Sequence, residues 1–201
     1  MKLIGITGGV GSGKSQVLSF IREHYLCEIY LADEVAHIVQ RKGQVCYEEI
    51  VSLLGEEILG PDGEIDRRAM AAKIFAEEAL LEQVNAIVHP RVEEFIRKKI
   101  SEAGDAGEVE LFFIEAALLI EAGYGHIVDE MWYIYTREDV RRRRLKESRG
   151  YSEEKISQIM ASQLSEEEFR ANCDFVIDNS GKLEDTHLAI KQRLEEYTWL
   201  C

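Results

Sequence analysis

Gly8-Gly9-Val10-Gly11-Ser12-Gly13-Lys14-Ser15 fits the pattern G-x-x-x-x-G-K-[ST], with the apolar run Leu3-Ile4-Gly5-Ile6-Thr7 before it and the helical pattern Gln16-Val17-Leu18-Ser19-Phe20-Ile21-Arg22 after it. Strand, glycine-rich loop and helix in that order make a phosphate-binding loop, or P-loop. The glycines let successive backbone N–H groups turn inward around a polyphosphate, and the helix N-terminus adds unpaired N–H groups and partial positive charge. In such a loop Lys14 reaches the β- and γ-phosphates, and the Ser15 hydroxyl takes a place on Mg²⁺. A plain glycine turn does not account for a lysine and a serine side by side where a helix begins.

Outward from that loop, 201 residues with 46% hydrophobic content suffice for one domain, with insertions, around a good core. The longest apolar runs, such as Ala116-Ala117-Leu118-Leu119-Ile120, fall short of a bilayer span. Met1-Lys2 leads directly into a strand, which predicts no signal or transit peptide and a cytoplasmic protein. Cys27, Cys46, Cys173 and Cys201 are scattered, without the spacing of a disulfide framework or a zinc site. A formal net charge of −14 argues against a general nucleic-acid surface, which rests on neutralising phosphates. It also means that a site for anionic phosphates has to gather its cations locally.

Along the chain, Cys27–Leu31 reads as a second strand that ends at Ala32-Asp33-Glu34, before the helical pattern Val35–Val39. Residues at the carboxyl ends of strands in an open α/β sheet face the ligand crevice, so Asp33 is placed to meet a substrate hydroxyl. The same residue also suits a helix N-cap. From Gln44 to about Gly104 the spacing is helical, interrupted by the turn Gly60-Pro61-Asp62-Gly63, and predicts a helical subdomain inserted between the second and third strands. His89-Pro90-Arg91-Val92 lies inside it. Gly104-Asp105-Ala106-Gly107 reads as a loop, and Val109–Ile114 as a buried strand ending in Glu115, where a carboxylate near Mg²⁺ is expected in P-loop enzymes. The short apolar segment Ala116–Ile120 closes on Glu121.

A fourth strand, Glu130–Tyr135, gives way to a helix with Arg137, Arg141, Arg142, Arg143 and Arg144, and Arg149 follows. Arg141 and Arg144 share a helix face, so these two are expected at phosphates while the others are solvated. Ser152 reads as the N-cap of a further helix, and the two helices are expected to form a mobile lid. Asp174–Asp178 is the fifth strand, Asn179-Ser180-Gly181 a turn, and Leu183 to Leu200 a closing helix.

Taken together, this ordered set resembles the dephospho-coenzyme A kinase family over nearly the whole chain. The matching residues are Ile4 to Ser15, Ala32-Asp33, His89-Pro90-Arg91-Val92, Leu118-Leu119-Ile120-Glu121, Arg144-Leu145, Gly150-Tyr151-Ser152, Gln163, and Cys173 to Gly181. The resemblance implies an α/β fold: a three-layer P-loop NTPase core with a five-stranded, mostly parallel sheet. The core takes residues 1–32, 105–136 and 171–201, the helical substrate subdomain 33–104, and the helical lid 137–170. It implies transfer of the γ-phosphate of ATP, with Mg²⁺, to the ribose 3′-hydroxyl of dephospho-coenzyme A, the last step of coenzyme A biosynthesis. Asp33, Lys14 and Arg144 are the catalytic residues it implies. Gly9, Val10, Gly11, Ser12, Gly13, Lys14, Ser15, Gln16 and Asn179 hold the nucleotide, with Asn179-Ser180-Gly181 by the adenine. Asp33, His89, Glu121 and Arg144 hold the acceptor, and Ser15 and Glu115 the metal. ATP and dephospho-coenzyme A are the expected partners, with neither nucleic acid nor membrane among them.

The chain departs from the family pattern at Leu31, where an aspartate is common, at Glu115 and Ala117, where aspartate and proline are, at Ser148, where an arginine is, and at Gln16, where threonine is usual. These leave the phosphate machinery whole and touch the metal shell, the lid and the acceptor side. A kinase for another small acceptor, such as a nucleoside monophosphate, therefore stays open as an alternative. So does a nucleotide- or coenzyme A-binding protein with little kinase activity.

Overall fold

A computed structural model describes residues 1–198 of the chain. It divides into two compact units, one built from Met1–Ile29 together with the chain from Ala106 onward, the other from Tyr30–Asp105.

The first unit is organised around β1 (Lys2–Thr7), whose Ile4 and Ile6 are fully buried. Near-continuous apolar sequence is what a strand covered on both faces requires. β2 (Cys27–Leu31), β3 (Leu111–Glu115), β4 (Glu130–Tyr135) and β5 (Phe175–Asp178) complete a sheet of order β2-β3-β1-β4-β5. The β1–β3, β1–β4 and β4–β5 pairings are parallel, and Ile6 aligns with both Glu115 and Trp132. The fold is α/β, as expected, and β1 ends between the ends of its two neighbours, where open parallel sheets bind ligands. Phe113, Trp132 and Phe175 form an edge-to-face chain across the strands, with centroids 6.0 and 5.4 Å apart.

The helices of this unit are α1 (Lys14–His24), α6 (Glu138–Arg149), α7 (Glu153–Ala161), α8 (Glu166–Asn172) and α9 (Leu183–Thr198). Ser152 caps α7 as expected, accepting from Lys155 N. α8 was not anticipated. Its start is a reciprocal capping box between Ser165 and Glu168, a Ser-x-x-Glu signal present in the sequence. Trp199 and Leu200, with which the expected closing helix ends, and Cys201 lie outside the described residues.

In the second unit α2 (Ala32–Val39), α3 (Tyr47–Leu54), α4 (Arg67–Ala76) and most of α5 (Glu78–Ala106) pack around Val35, Val39, Ile50, Leu54 and Ile74. Val84, Val88, Val92 and Ile96 supply the α5 stripe at four-residue spacing. One expectation is corrected: residues 104–106 continue α5 instead of forming a loop, and the helix stops where Gly107 adopts a φ of 63°. The Gly60–Gly63 turn interrupts the helical stretch as expected, and it closes a single antiparallel bridge between Leu59 and Ile65.

Glu130 anchors the first unit. Its carboxylate, almost fully buried, accepts from Trp132 Nε1 at 3.0 Å, from Arg193 Nε at 2.7 Å and from the Tyr197 hydroxyl. Burial, and then that hydrogen bond, push the Tyr197 hydroxyl up from its ordinary range. Glu130→Ala takes the acceptor from the Trp132 and Tyr197 donors and leaves Arg193 with Glu196 alone. The expected loss is on the order of 3 kcal/mol, a fall of about 10 °C in the melting temperature measured by calorimetry.

Candidate active site

The glycine loop joins β1 to α1, and its shape depends on conformations that only glycine reaches cheaply. Gly13 is the N-cap of α1 in the left-handed region, with φ 90°, and a Cβ there would collide with the Asn179 amide. A Cβ on Gly9 would likewise strike the Arg141 guanidinium and Gln163 Oε1. Space around the loop is therefore already taken by three side chains from later in the chain.

Those side chains brace the loop backbone. The Ser12 carbonyl accepts from Asn179 Nδ2 at 2.8 Å, Thr136 Oγ1 at 2.9 Å and Arg144 Nη1 at 3.2 Å. Arg144 Nη2 also donates to Asn179 O at 2.9 Å, and the Thr186 hydroxyl to Asn179 Oδ1 at 3.1 Å. One turn earlier on α6, Arg141 Nε donates to Val10 O at 3.1 Å while its Nη2 reaches Gln163 Oε1, which in turn accepts from Val10 N. Burial lowers the pKa of both guanidiniums, with Arg143 adding to the effect at Arg144, although an arginine stays charged throughout. Among the described residues, Ser12 Oγ is the buried side-chain polar atom left without a partner.

The structure thus separates the arginines. Arg141 and Arg144 meet the loop. Arg142 turns to Glu138 and Glu153, and Arg137 to Asp139, as surface ion pairs. Arg149 lies over the Tyr151 ring.

Lys14 Nζ donates to Gly8 O at 2.7 Å and stands 3.4 Å from Glu115 Oε1, both side chains being largely buried. Ser15 and Gln16 are exposed in the first turn of α1, and Glu121 is exposed in the segment after β3. A serine hydroxyl and a carboxylate are both hard oxygen donors, which suits Mg²⁺ with the nucleotide phosphates and water as its other ligands. Among the described residues no group of three or more His, Cys, Asp or Glu could hold a metal by itself.

Within the second unit, Asp33 is exposed in the first turn of α2. The helix starts one residue before it, with Leu31 as N-cap and no side-chain cap, so the N-cap role considered for Asp33 does not hold. Its carboxylate is left available for another task. His89 is exposed on α5 just before Pro90. Thr136 as a brace of the loop carries no signal in the sequence. Arg141 and Gln163 carry one, by helix face and by motif respectively, but their joint grip on Val10 is a tertiary fact.

A family model described as dephospho-CoA kinase matches residues 2–185. The dephospho-CoA kinase of Carboxydothermus hydrogenoformans is 34% identical over 199 residues, covering 99% of this chain and 96% of that one. That of Geobacter sulfurreducens is 37% identical over 196 residues, covering 98% and 96%. A crystal structure of a Thermus thermophilus protein superposes with a TM-score of 0.81 at 32% identity, covering 97% of both chains.

Because the braces shape the loop, Asn179→Ala removes one donor to Ser12 O and leaves the Thr186 hydroxyl only the Asp178 carbonyl to donate to. ATP affinity measured by titration calorimetry is expected to fall by about tenfold, with the circular dichroism spectrum unchanged.

Proposed function

The chain belongs to the dephospho-CoA kinase family, and we propose that it transfers the γ-phosphate of ATP to the ribose 3′-hydroxyl of dephospho-coenzyme A with the following division of labour. The family's reaction, ATP-dependent phosphorylation of dephospho-coenzyme A in coenzyme A biosynthesis, is the one its sequence carries from residue 2 to residue 185. The observation that supports this reading most is the braced loop running from Gly8 to Ser15, with Lys14 at its helix end beside Glu115.

Phosphoryl transfer asks a protein mainly for positioning and for charge against the spreading negative oxygens. Backbone N–H groups of Gly9 to Ser15 and the first turn of α1 take the phosphates of ATP. Lys14 exchanges its carbonyl partner for the phosphate oxygens, and the buried Ser12 hydroxyl gains an acceptor. Arg144, fixed by Ser12 O and Asn179 O, keeps further N–H donors for the phosphoryl group in flight. Mg²⁺ would sit on Ser15 and Glu115, where it neutralises phosphate charge. Because the Asn179 side chain is committed to Ser12 and Thr186, the adenine is met by the backbone of the 179–181 turn and by Gln16 nearby. Asp33 orients the acceptor hydroxyl and takes its proton late, Glu121 and His89 bind the rest of the acceptor, and helices α6 to α8 act as the lid. These roles are those of a cytoplasmic enzyme of small molecules; no helix among the described residues is long and apolar enough to cross a membrane.

Asp33→Asn is expected to leave ATP binding intact and lower kcat by about 10²- to 10⁴-fold, the usual weight of a general base. The rate of ADP release with added dephospho-coenzyme A measures it. Near-normal turnover removes Asp33 from the mechanism, and ADP release that ignores the acceptor contradicts the kinase reading.

A further inference from the structure

Gln163 stands in the short turn that joins α7 to α8, half-buried although Ser162 and Ser165 beside it are exposed. Both sides of the turn are fixed. Gln163 N donates to Met160 O at 3.3 Å and the Ser162 hydroxyl to Ile159 O at 3.0 Å, which closes the end of α7. On the far side the Ser165–Glu168 capping box starts α8, whose buried Phe169 stacks on Tyr133 of β4 with ring centroids 4.6 Å apart. Tyr133 pairs in register with Thr7, the last residue of β1. The turn is therefore anchored to the sheet at the strand end from which the glycine loop springs.

What the side chain does there follows from its two neighbours. Val10 N and Arg141 Nη2 both approach the same atom of Gln163, and both are obligate donors, so that atom is the carbonyl oxygen Oε1. Arg141 is thereby held at two points, by its Nε on Val10 O at 3.1 Å and by its Nη2 on Gln163. A Cβ on Gly9 would lie 2.3 Å from that Nη2, so the guanidinium rests directly against the Gly9 backbone. Its other N–H donors take no acceptor among the described residues. Nor is its charge matched. Glu138, the acid one turn back, is taken by Arg142 Nε at 2.7 Å, and among the described residues Arg141 has no carboxylate in ion-pair range. A half-buried guanidinium is costly to keep without an anion.

Gly9 lies at the end of the loop where the transferred phosphoryl group belongs. In a P-loop the lysine ammonium is the group that reaches the β- and γ-phosphates. Lys14 Nζ stands 2.7 Å from Gly8 O, one residue before Gly9, which puts Gly9 and the guanidinium against it at the γ end. We propose that Gln163 is a positioning residue for the transfer, fixing Arg141 against Gly9 so that the remaining N–H donors of its fork meet the γ-phosphoryl group as it leaves ADP. This assignment rests on the function proposed above and adds a further cation to Lys14 and Arg144 at the reacting phosphate. An arginine supplied in cis to that place stabilises the charge that spreads over the phosphoryl oxygens. Glutamine suits the task because its neutral oxygen orients the guanidinium without cancelling its charge, as a carboxylate would.

The test combines steady-state kinetics on the full chain with calorimetry of ATP and of ADP in the absence of acceptor. Gln163→Ala is expected to lower kcat by about 10- to 100-fold, the weight of a hydrogen bond to a charged group, and to weaken ATP binding. The KM for dephospho-coenzyme A and the affinity for ADP are expected to stay at wild-type values. Arg141→Ala is expected to do the same, more severely, and the double variant to be no slower than Arg141→Ala, because Gln163 acts through that arginine. Gln163→Glu keeps an acceptor oxygen for both donors but sets a negative charge beside the phosphoryl group, and is expected to stay impaired. Unchanged kcat in Gln163→Ala overturns the proposal. So do additive losses in the double variant, full activity in Gln163→Glu, or an equal loss of ADP affinity, any of which marks a brace of the loop and nothing more. A wild type that makes no phosphorylated product refutes the kinase reading, and the ATP and ADP affinities of Gln163→Ala and Arg141→Ala then still decide whether Gln163 sets Arg141 at the γ-phosphate.

Discussion

One carbonyl oxygen, that of Ser12, accepts three donors from three separate places in the chain: Thr136 after β4, Arg144 on α6 and Asn179 after β5. A loop that turns its N–H groups inward must point carbonyls outward, and each of those needs a partner once water is excluded. The Ser12 carbonyl is where that requirement is met. It explains why Asn179 and Thr136 are buried polar residues beside an open site, and why glycine is needed at Gly13, where any Cβ would displace the amide. Preorganised donors of this kind act without reorganisation at the moment of reaction.

The same constraint changes the view of the α6 arginines. Clustered cations on an acidic chain suggest free hands reaching for phosphate. Arg141 and Arg144 instead each donate to the backbone of the loop itself, and Arg144 also to the Asn179 carbonyl. The position of α6 and the shape of the glycine loop are therefore linked through Val10 and Ser12, because Arg141 and Arg144 of that helix donate to them.

Much of this was legible in the sequence. The limits of β2 and β4 coincide with the expected strands, since both are short apolar runs with clear ends, and the glycine loop sits where its motif predicts. Other features were hidden for physical reasons. Residues 104–106 look like a loop by composition, yet a 29-residue helix with its apolar stripe packed carries them along until Gly107. Asp33 suits a cap by residue type, besides its place at the end of a strand, but the strand gives way to helix directly at Leu31.

If the braced loop serves transfer of a phosphoryl group to an alcohol, phosphorus NMR of the purified protein with ATP, Mg²⁺ and dephospho-coenzyme A follows that transfer. A new phosphomonoester resonance on the ribose 3′-oxygen is expected to grow one for one with ADP. ADP accompanied only by inorganic phosphate, or no loss of ATP at all, would contradict it.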